Sequence, residues 1–397
     1  MRVVLAAALY PTPSEPRIMG GAEVFTRQLA EGLVAAGDDV SVVRIALDGH
    51  YRREDANGVS VYFVPIRNLY PPFAPKTNPL MRMAWHVIDD RWRAPSELEA
   101  ILKDVKPDIF HTHTFNGLST DMWHVARALG IPVVHTLHDY YLICPRCSRF
   151  KDGQVCETSC GSCRLLTTNR RERTRDLDAV TSVSHRTLAI HQQEGIFAPN
   201  LPTHVVHNVA NPAISLLPPM PYEGVLKVGY IGRFAEEKGL HLLVAAAALL
   251  PAGSIELKLA GTASPEDQER LRQLAPAVSM DFLGFVSPVD FYAQVHLSVA
   301  PSIWEEPAGL VVLDALAAGR PVIGSNRGGI SEGVEDGVTG WIVPPEVDAL
   351  AGILKRLIEQ PKLLADAEAA LVDKASSRRA FSDLIDDYRK IYSDLQP

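Results

Sequence analysis

Short apolar runs alternate with amphipathic stretches along almost the whole chain, and this alternation restricts the fold more than any other feature. VVLAAAL (3–9), VSVVRIAL (40–47), GVSVYFVPI (58–66), PDIFHTHT (107–114) and PVVHTLHD (132–139) have the length and composition of strands. AEVFTRQLAEGLVAAG (22–37) and MWHVARALG (122–130) lie among them with helical spacing, and Gly37 stands where a left-handed residue would close the last turn. Apolar strands separated by helices predict parallel βαβ units in a doubly wound sheet, because a parallel return needs a helix-length crossover. Residues 196–222 are rich in Pro and lack periodicity, save for HVVHNV (204–209) as a last strand of the first series. A second series then begins. LKVGYIGRF (226–234), IELKLAG (255–261), VSMDFLGFV (278–286), LSVAPSI (297–303), RPVIGSN (320–326) and GWIVP (340–344) are its strands, and residues 347–397 are helical throughout. At 397 residues the chain is too long for one core, so two α/β domains are expected, over 1–210 and 222–379.

Composition removes several function classes. A hydrophobic fraction of 47% with 22% charged residues is that of a globular protein, and a formal net charge of −8 argues against a nucleic-acid surface. No run of eighteen apolar residues occurs, so no transmembrane helix is expected. MRVVLAAALYPTPSEP, at the start, has the length of a signal h-region but is better read as a first buried parallel strand, with the cytoplasm as compartment.

The chemistry concentrates in PSIWEEPAGLVVLDALAAGRPV (301–322), where Glu306 and Asp314 are eight residues apart across an apolar run. A helix over this stretch would put both acids near one face and pack Leu310, Val311, Leu313, Leu316 and Ala317 against a sheet. Two carboxylates on the edge of a buried helix are costly unless a polar ligand uses them, and the hydroxyls of a sugar and a ribose are suitable donors. Arg233 and Lys238 follow a strand in GRFAEEKG, a fork and a point charge able to meet one diphosphate. Gly20 and Gly21 lie between the first strand and the first long helix, where backbone can approach an anion. Glu23 follows them in the first turn, a position favoured by the helix dipole. His113 ends the strand PDIFHTH, with His111 deeper on the same face, and His138 with Asp139 ends the next strand at the same sheet edge.

These segments, in this order, resemble retaining glycosyltransferases of family 4. The 306–314 pair resembles their E-x7-E signature with Asp in place of the second Glu, GRFAEEKG their G-R-x-x-x-x-K-G phosphate motif, and GGAE (20–23) their glycine loop, while HTH (111–113) and LHDYYLICP (137–145) also fit. The resemblance implies a GT-B fold, two Rossmann-like domains facing a cleft, with the first on the acceptor side, the second binding a nucleotide sugar, and residues 380–397 returning as a helix to the first. It implies a hexosyltransferase-type enzyme moving a sugar from a UDP- or GDP-sugar to a hydroxyl of a polysaccharide, glycolipid or metabolite, with retention and without a catalytic metal. His113, Arg233, Lys238 and Glu306 would be catalytic. Gly20, Gly21, Gly309, Leu310, Val311 and Asp314 would hold the donor, with Glu23 and His138 in the acceptor cleft. A GT-B epimerase and a non-catalytic sugar-nucleotide-binding module are the alternatives.

Five cysteines fall in one polar segment, 144–163. The pairs Cys144/Cys147 and Cys160/Cys163 are each C-x2-C and are separated by twelve residues, the spacing of a closed structural zinc site with Cys156 as a substitute ligand. An iron–sulfur cluster, disulfides and free thiols remain open. Two basic-aromatic stretches, MRMAWHVIDDRWR (81–93) and NRRERTR (169–175), are either solvated helix faces or a peripheral contact with an anionic bilayer that would give access to a lipid-linked acceptor.

Overall fold

The computed structural model describes residues 1–16, 20–72 and 78–396. Pro397, at the end of the expected last helix, lies outside them. The described chain forms two compact units, one of residues 1–149, 156–208 and 382–397 and one of residues 150–155 and 209–381.

The first unit is built on an eight-stranded sheet. From one edge to the other its strands are Thr203–Val205, Ala179–Ser182, Val133–Leu137, Ile109–Thr112, Arg2–Ala6, Asp39–Ala46, Val59–Pro65 and Arg52–Ala56. All neighbours are parallel except the last pair. Arg2–Ala6 lies at the centre, paired on both sides, with Val3, Val4 and Leu5 fully buried, which is the strand expected of VVLAAAL. The antiparallel edge strand RREDA was not expected from its charge. Asn57 and Gly58, at φ 55° and 80°, turn it into Val59–Pro65 as a two-residue hairpin, and its charges blunt the open edge.

The second unit has six parallel strands in the order Ser279–Gly284, Ile255–Ala260, Leu226–Ile231, Leu297–Ala300, Val322–Ser325, Gly340–Val343. The chain starts at the centre, winds to one edge, returns, and winds to the other, the doubly wound order of a nucleotide-binding fold. Leu226, Val228, Leu243, Leu257, Leu297 and Leu354 are buried between sheet and helices, each contributing about 1.5–3 kcal/mol.

The units depart from the sequence boundaries at two places. The hairpin of Phe150–Lys151 and Gln154–Val155, inside the segment assigned to the first domain, groups with the second unit. A hairpin this short has no core of its own, so chain continuity does not decide which unit it joins. The helix Phe381–Asp394 enters the first unit at Ser382, where Leu384, Ile385, Tyr388, Ile391 and Tyr392 form its buried stripe. No helix among the described residues is long and apolar enough to cross a membrane.

Candidate functional site

Ligands in open α/β sheets bind beyond the carboxyl ends of the strands, at the point where the winding reverses. In the first unit the reversal falls between Arg2–Ala6 and Ile109–Thr112. His113 stands one residue past the second of these strands, its backbone N–H donating to the carbonyl of Ala6 at 2.9 Å. His138 stands one residue past the adjacent strand, so the two rings meet: His113 Nδ1 and His138 Nε2 are 3.0 Å apart. Burial drives both imidazoles to the neutral form, His113 well below the ordinary range and His138 to about 3. His113 Nε2 is buried with no hydrogen-bond partner among the described residues. His111, deeper in the strand, is held between Tyr392 Oη at 2.6 Å and Thr136 Oγ1 at 2.7 Å, which makes it a packing residue.

Gly20 caps the helix Gly21–Ala35 without a side chain, and Glu23, three residues on, reaches back to the Gly20 N–H as the acid of a capping box does. Burial raises the Glu23 carboxyl above its usual range, and those backbone bonds partly offset it. Phe25, on the same helix, lies 4.8 Å from His138, ring to ring, and 5.9 Å from His113. Asp139 accepts from the Tyr141 N–H at 2.7 Å, and burial pushes its carboxyl up to about 7. Gly20, Glu23, His113, His138 and Asp139 thus belong to the loops of one sheet edge.

In the second unit the reversal falls between Leu226–Ile231 and Leu297–Ala300. The loops after these strands carry Arg233 and Lys238 on one side and Glu306 on the other. Lys238 Nζ lies 2.5 Å from Glu306 Oε1, and Ser302 Oγ donates to Glu306 Oε2 at 2.5 Å. Burial alone would raise the Glu306 carboxyl, but Lys238, Ser302 and Trp304 hold it below its ordinary value. Lys238 also sits 5.3 Å from the Trp304 ring centroid. Glycines let the loops come this close. Gly239, at φ 70°, leaves no room for a Cβ, which would fall 2.0 Å from the carbonyl of Pro301. Gly328, at φ 60°, lies equally close to the Glu306 backbone and donates to Glu305 Oε2 at 2.8 Å. Arg233 is 67% exposed, with one guanidinium nitrogen 3.3 Å from Glu237, so it is reachable from solvent at little cost.

The helix of the 301–322 segment begins later than expected. It spans Leu310–Ala317 behind Gly309, whose φ of 64° is left-handed, so Glu306 is in the preceding loop and the two acids do not share a helical face. Its buried residues are Val312, Ala315, Leu316 and Ala317, while Leu310, Val311 and Leu313 are only partly covered. A left-handed entry breaks the helical phase between Glu306 and Asp314, which the eight-residue spacing could not reveal. Asp314 accepts from the Asn211 N–H at 2.8 Å, and burial raises its carboxyl to about 6. Ser302, Trp304, Asn211 and Gly328 were missed in the sequence, whereas Gly239 closes the GRFAEEKG motif; of those missed only Gly328 left a signal there, in GG (328–329).

The basic stretches separate. Arg170 is fully buried against Asp89 at 2.8 Å and over the Tyr141 ring, Arg171 pairs with Glu194 and Arg173 with Asp121. Arg170, Arg171 and Arg173 are therefore internal wiring, and Arg175 is the exposed arginine of the segment 169–175. In the helix Pro79–Arg91 Trp85 is buried, but Leu80, Met83 and the following Trp92 are 70%, 53% and 51% exposed.

Comparison with known proteins agrees with this geometry. Residues 19–213 match the model of Glycosyltransferase Family 4, and residues 220–371 that of Glycosyl transferases group 1. A 42.6 kDa protein of the cps region of Klebsiella pneumoniae is 31% identical over 84% of this chain and 87% of its own length. A D-inositol 3-phosphate glycosyltransferase of Arthrobacter sp. (strain FB24) is 27% identical over 87% of this chain and 84% of its own. Among solved structures, sucrose-phosphate synthase from Thermosynechococcus elongatus superposes with a TM-score of 0.73 at 21% identity, covering 99% of this chain and 98% of that one. Anabaena HepE in complex with UDP and glucose superposes at 0.70 with 20% identity, covering all of both chains. With two parallel-sheet α/β units and these matches, the fold is GT-B, and the chain belongs to the group 1 glycosyltransferases, enzymes that transfer sugars.

Proposed function

We propose that the protein transfers a sugar from a nucleoside diphosphate sugar to a hydroxyl acceptor with retention of anomeric configuration and without a catalytic metal. The observation that carries this reading is the Lys238–Glu306–Ser302 cluster at the reversal point of the second sheet. As the bond from C1 of the sugar to the diphosphate breaks, negative charge grows on the leaving oxygen. Lys238 and the exposed Arg233 meet that charge as a metal ion would, and the helix Leu310–Ala317, entered at Gly309 without a side-chain cap among the described residues, turns the N–H groups of its first turn to the phosphates. Glu306 serves the sugar and Asp314 the ribose. In the first unit, by itself, His113 Nε2 is left for a ligand hydroxyl while His138 fixes its tautomer. The acceptor oxygen attacks C1 on the face being vacated, and its proton passes to the departing phosphate. A UDP-sugar is favoured by the complex of HepE with UDP and glucose.

A thermal-shift panel of UDP-, GDP-, TDP- and ADP-sugars identifies the donor, since a ligand at 100 times its Kd stabilises by about 2.7 kcal/mol. With that donor, Lys238→Met should lower kcat/KM by about a hundredfold or more. NMR of the product should show retention in EDTA-treated reactions; inversion, or activity that needs added divalent ion, rejects the mechanism.

The acceptor is taken to be lipid-linked and met at an anionic inner membrane face. Leu80, Met81 and Met83 are exposed beside Arg82, with Trp92 between the exposed Arg91 and Arg93. This pairing of apolar and cationic groups suits an interfacial helix. Flotation with phosphatidylglycerol vesicles should recover the protein and fail for Leu80→Ser/Met83→Ser; equal recovery of both removes the membrane from the reading.

A further inference from the structure

The sugar-transfer reading makes no use of the cysteine segment. Among the described residues no three of its sulfurs lie within 4.8 Å of one another, so the four-thiolate set that the spacing suggests is not assembled. Cys144 is buried, and Cys147 turns its sulfur to Asn116, which donates to it at 3.1 Å. Cys160 and Cys163 do meet. Their sulfurs are 3.4 Å apart, and neither is in a disulfide.

Local geometry explains the meeting. Cys160 is the N-cap of the short helix Gly161–Leu166, with an extended backbone at φ −69° and ψ 167°, and Cys163 follows three residues later in the first turn. An N-cap side chain points back over that turn, toward the third helical residue. The Arg164 N–H donates to the Cys160 carbonyl at 3.0 Å and closes the turn. Both flanks are tied to Arg171. Before the pair, Ser159 Oγ accepts from Arg171 at 2.8 Å, and the Ser159 N–H donates to Glu194 at 2.8 Å. After it, Thr167 Oγ1 accepts from Arg171 Nε at 3.0 Å and donates to the Cys163 carbonyl at 2.8 Å. Arg171 and Glu194 close the brace at 3.1 Å. A disulfide of about 2.05 Å asks the sulfurs to approach by roughly 1.4 Å from the observed 3.4 Å. With the flanks already ordered, the second thiol acts at high effective concentration on the first. Cys160 is exposed and Cys163 half-buried, so a reagent from solvent reaches Cys160 first.

We propose that Cys160 and Cys163 are a reversible dithiol–disulfide pair, oxidised by a small-molecule disulfide of the glutathione class, with Cys160 attacking and Cys163 resolving. The Cys160 thiolate attacks one sulfur of the oxidant, whose S–S bond breaks and releases one small thiolate. Cys163 then attacks the Cys160 sulfur of the mixed disulfide, and the second small thiolate leaves. The two protons of the cysteine thiols end on the two departing thiolates. The electron pair lost by the cysteines has reduced the oxidant to two thiols, and added thiol reverses the sequence. The pair needs no donor sugar and no metal.

Full-length protein, reduced and freed of reductant, is exposed to oxidised glutathione, alkylated and digested with trypsin. The peptide DGQVCETSCGSCR (152–164) should then carry an alkyl group on Cys156 alone and be lighter by a pair of hydrogens. Dithiothreitol should restore alkylation at Cys160 and Cys163. This measurement uses the wild-type chain and does not depend on how a variant folds. Cys163→Ser should accumulate a glutathione adduct at Cys160, and Cys160→Ser should leave Cys163 open to alkylation. Wild-type protein whose two thiols both stay alkylatable, or which keeps the adduct on Cys160, overturns the pair. A bond from Cys163 to Cys144, seen as two joined peptides, or to Cys156 overturns it as well. So does about one zinc per chain in the protein as purified, lost on Cys160→Ser, because the thiols would then be metal ligands.

Discussion

At the scale of single residues, the sequence named the charged groups but not their partners. Arg233, Lys238, Glu306 and Asp314 were legible because each belongs to a spaced motif. What the spacing could not say is that Glu306 is held by Lys238 and Ser302, whereas Asp314 is tied to the Asn211 backbone amide and, among the described residues, to no cation. That difference shows in their titration. Burial leaves the Asp314 carboxyl at about 6 against an unfolded value of 3.8, so the folded state binds the proton more tightly. The stability this gives is complete below about pH 4 and is lost as pH rises through about 6. Asp314→Asn keeps an oxygen for the Asn211 N–H and removes the charge. It should therefore raise stability by about 1–3 kcal/mol at pH 8 and by almost nothing at pH 4. Melting curves of both proteins at the two pH values check this; a gain independent of pH would mean the carboxyl is not perturbed.

At the scale of elements, periodicity located most strands and helices of both units because the strands inside each sheet are apolar and largely buried. It failed where tertiary context or turn chemistry decided the outcome. RREDA is a strand because Asn57–Gly58 folds it onto a neighbour, and Ala179–Ser182, a short Thr- and Ser-containing run, is one because two strands flank it. The helix Leu310–Ala317 was assigned the wrong phase because its left-handed entry at Gly309 is not periodic. Loop approach is the other feature that only coordinates reveal. Gly239 and Gly253 both have positive φ, 70° and 78°, but a Cβ on Gly239 strikes the Pro301 carbonyl at 2.0 Å and one on Gly253 meets nothing within 4 Å. Gly253→Ala should cost only the left-handed penalty, about 1 kcal/mol. Gly239→Ala must also push apart the loops that carry Lys238 and Glu306, at about 3 kcal/mol or more, with loss of activity. Chemical denaturation and initial rates measure both; equal costs would show that the two loops are not in contact.

At the scale of the whole molecule, the chain leaves the first unit after Asn208 and re-enters it at Ser382, so its last helix belongs to a core begun almost four hundred residues earlier. The returning helix is not a passive cover. Tyr392 satisfies His111 Nδ1, and the Tyr388 ring stands 6.0 Å from Phe25 and 5.5 Å from His111. Phe25 and His111 are also the ring neighbours of His113, so the tail supports the layer on which that histidine rests. Removing residues 382–397 would expose Phe25 and strand a buried imidazole nitrogen, a loss on the order of several kcal/mol that falls on the first unit alone. Residues 209–381 carry a complete six-stranded sheet and lose none of it. A chain ending at Phe381 should therefore unfold in two calorimetric steps, the earlier one belonging to the first unit. It should bind the donor weakly and transfer no sugar. If truncation instead left one transition at the full-length temperature, the helix would be an ornament on the first unit, and the support of His113 would have to come from the sheet alone.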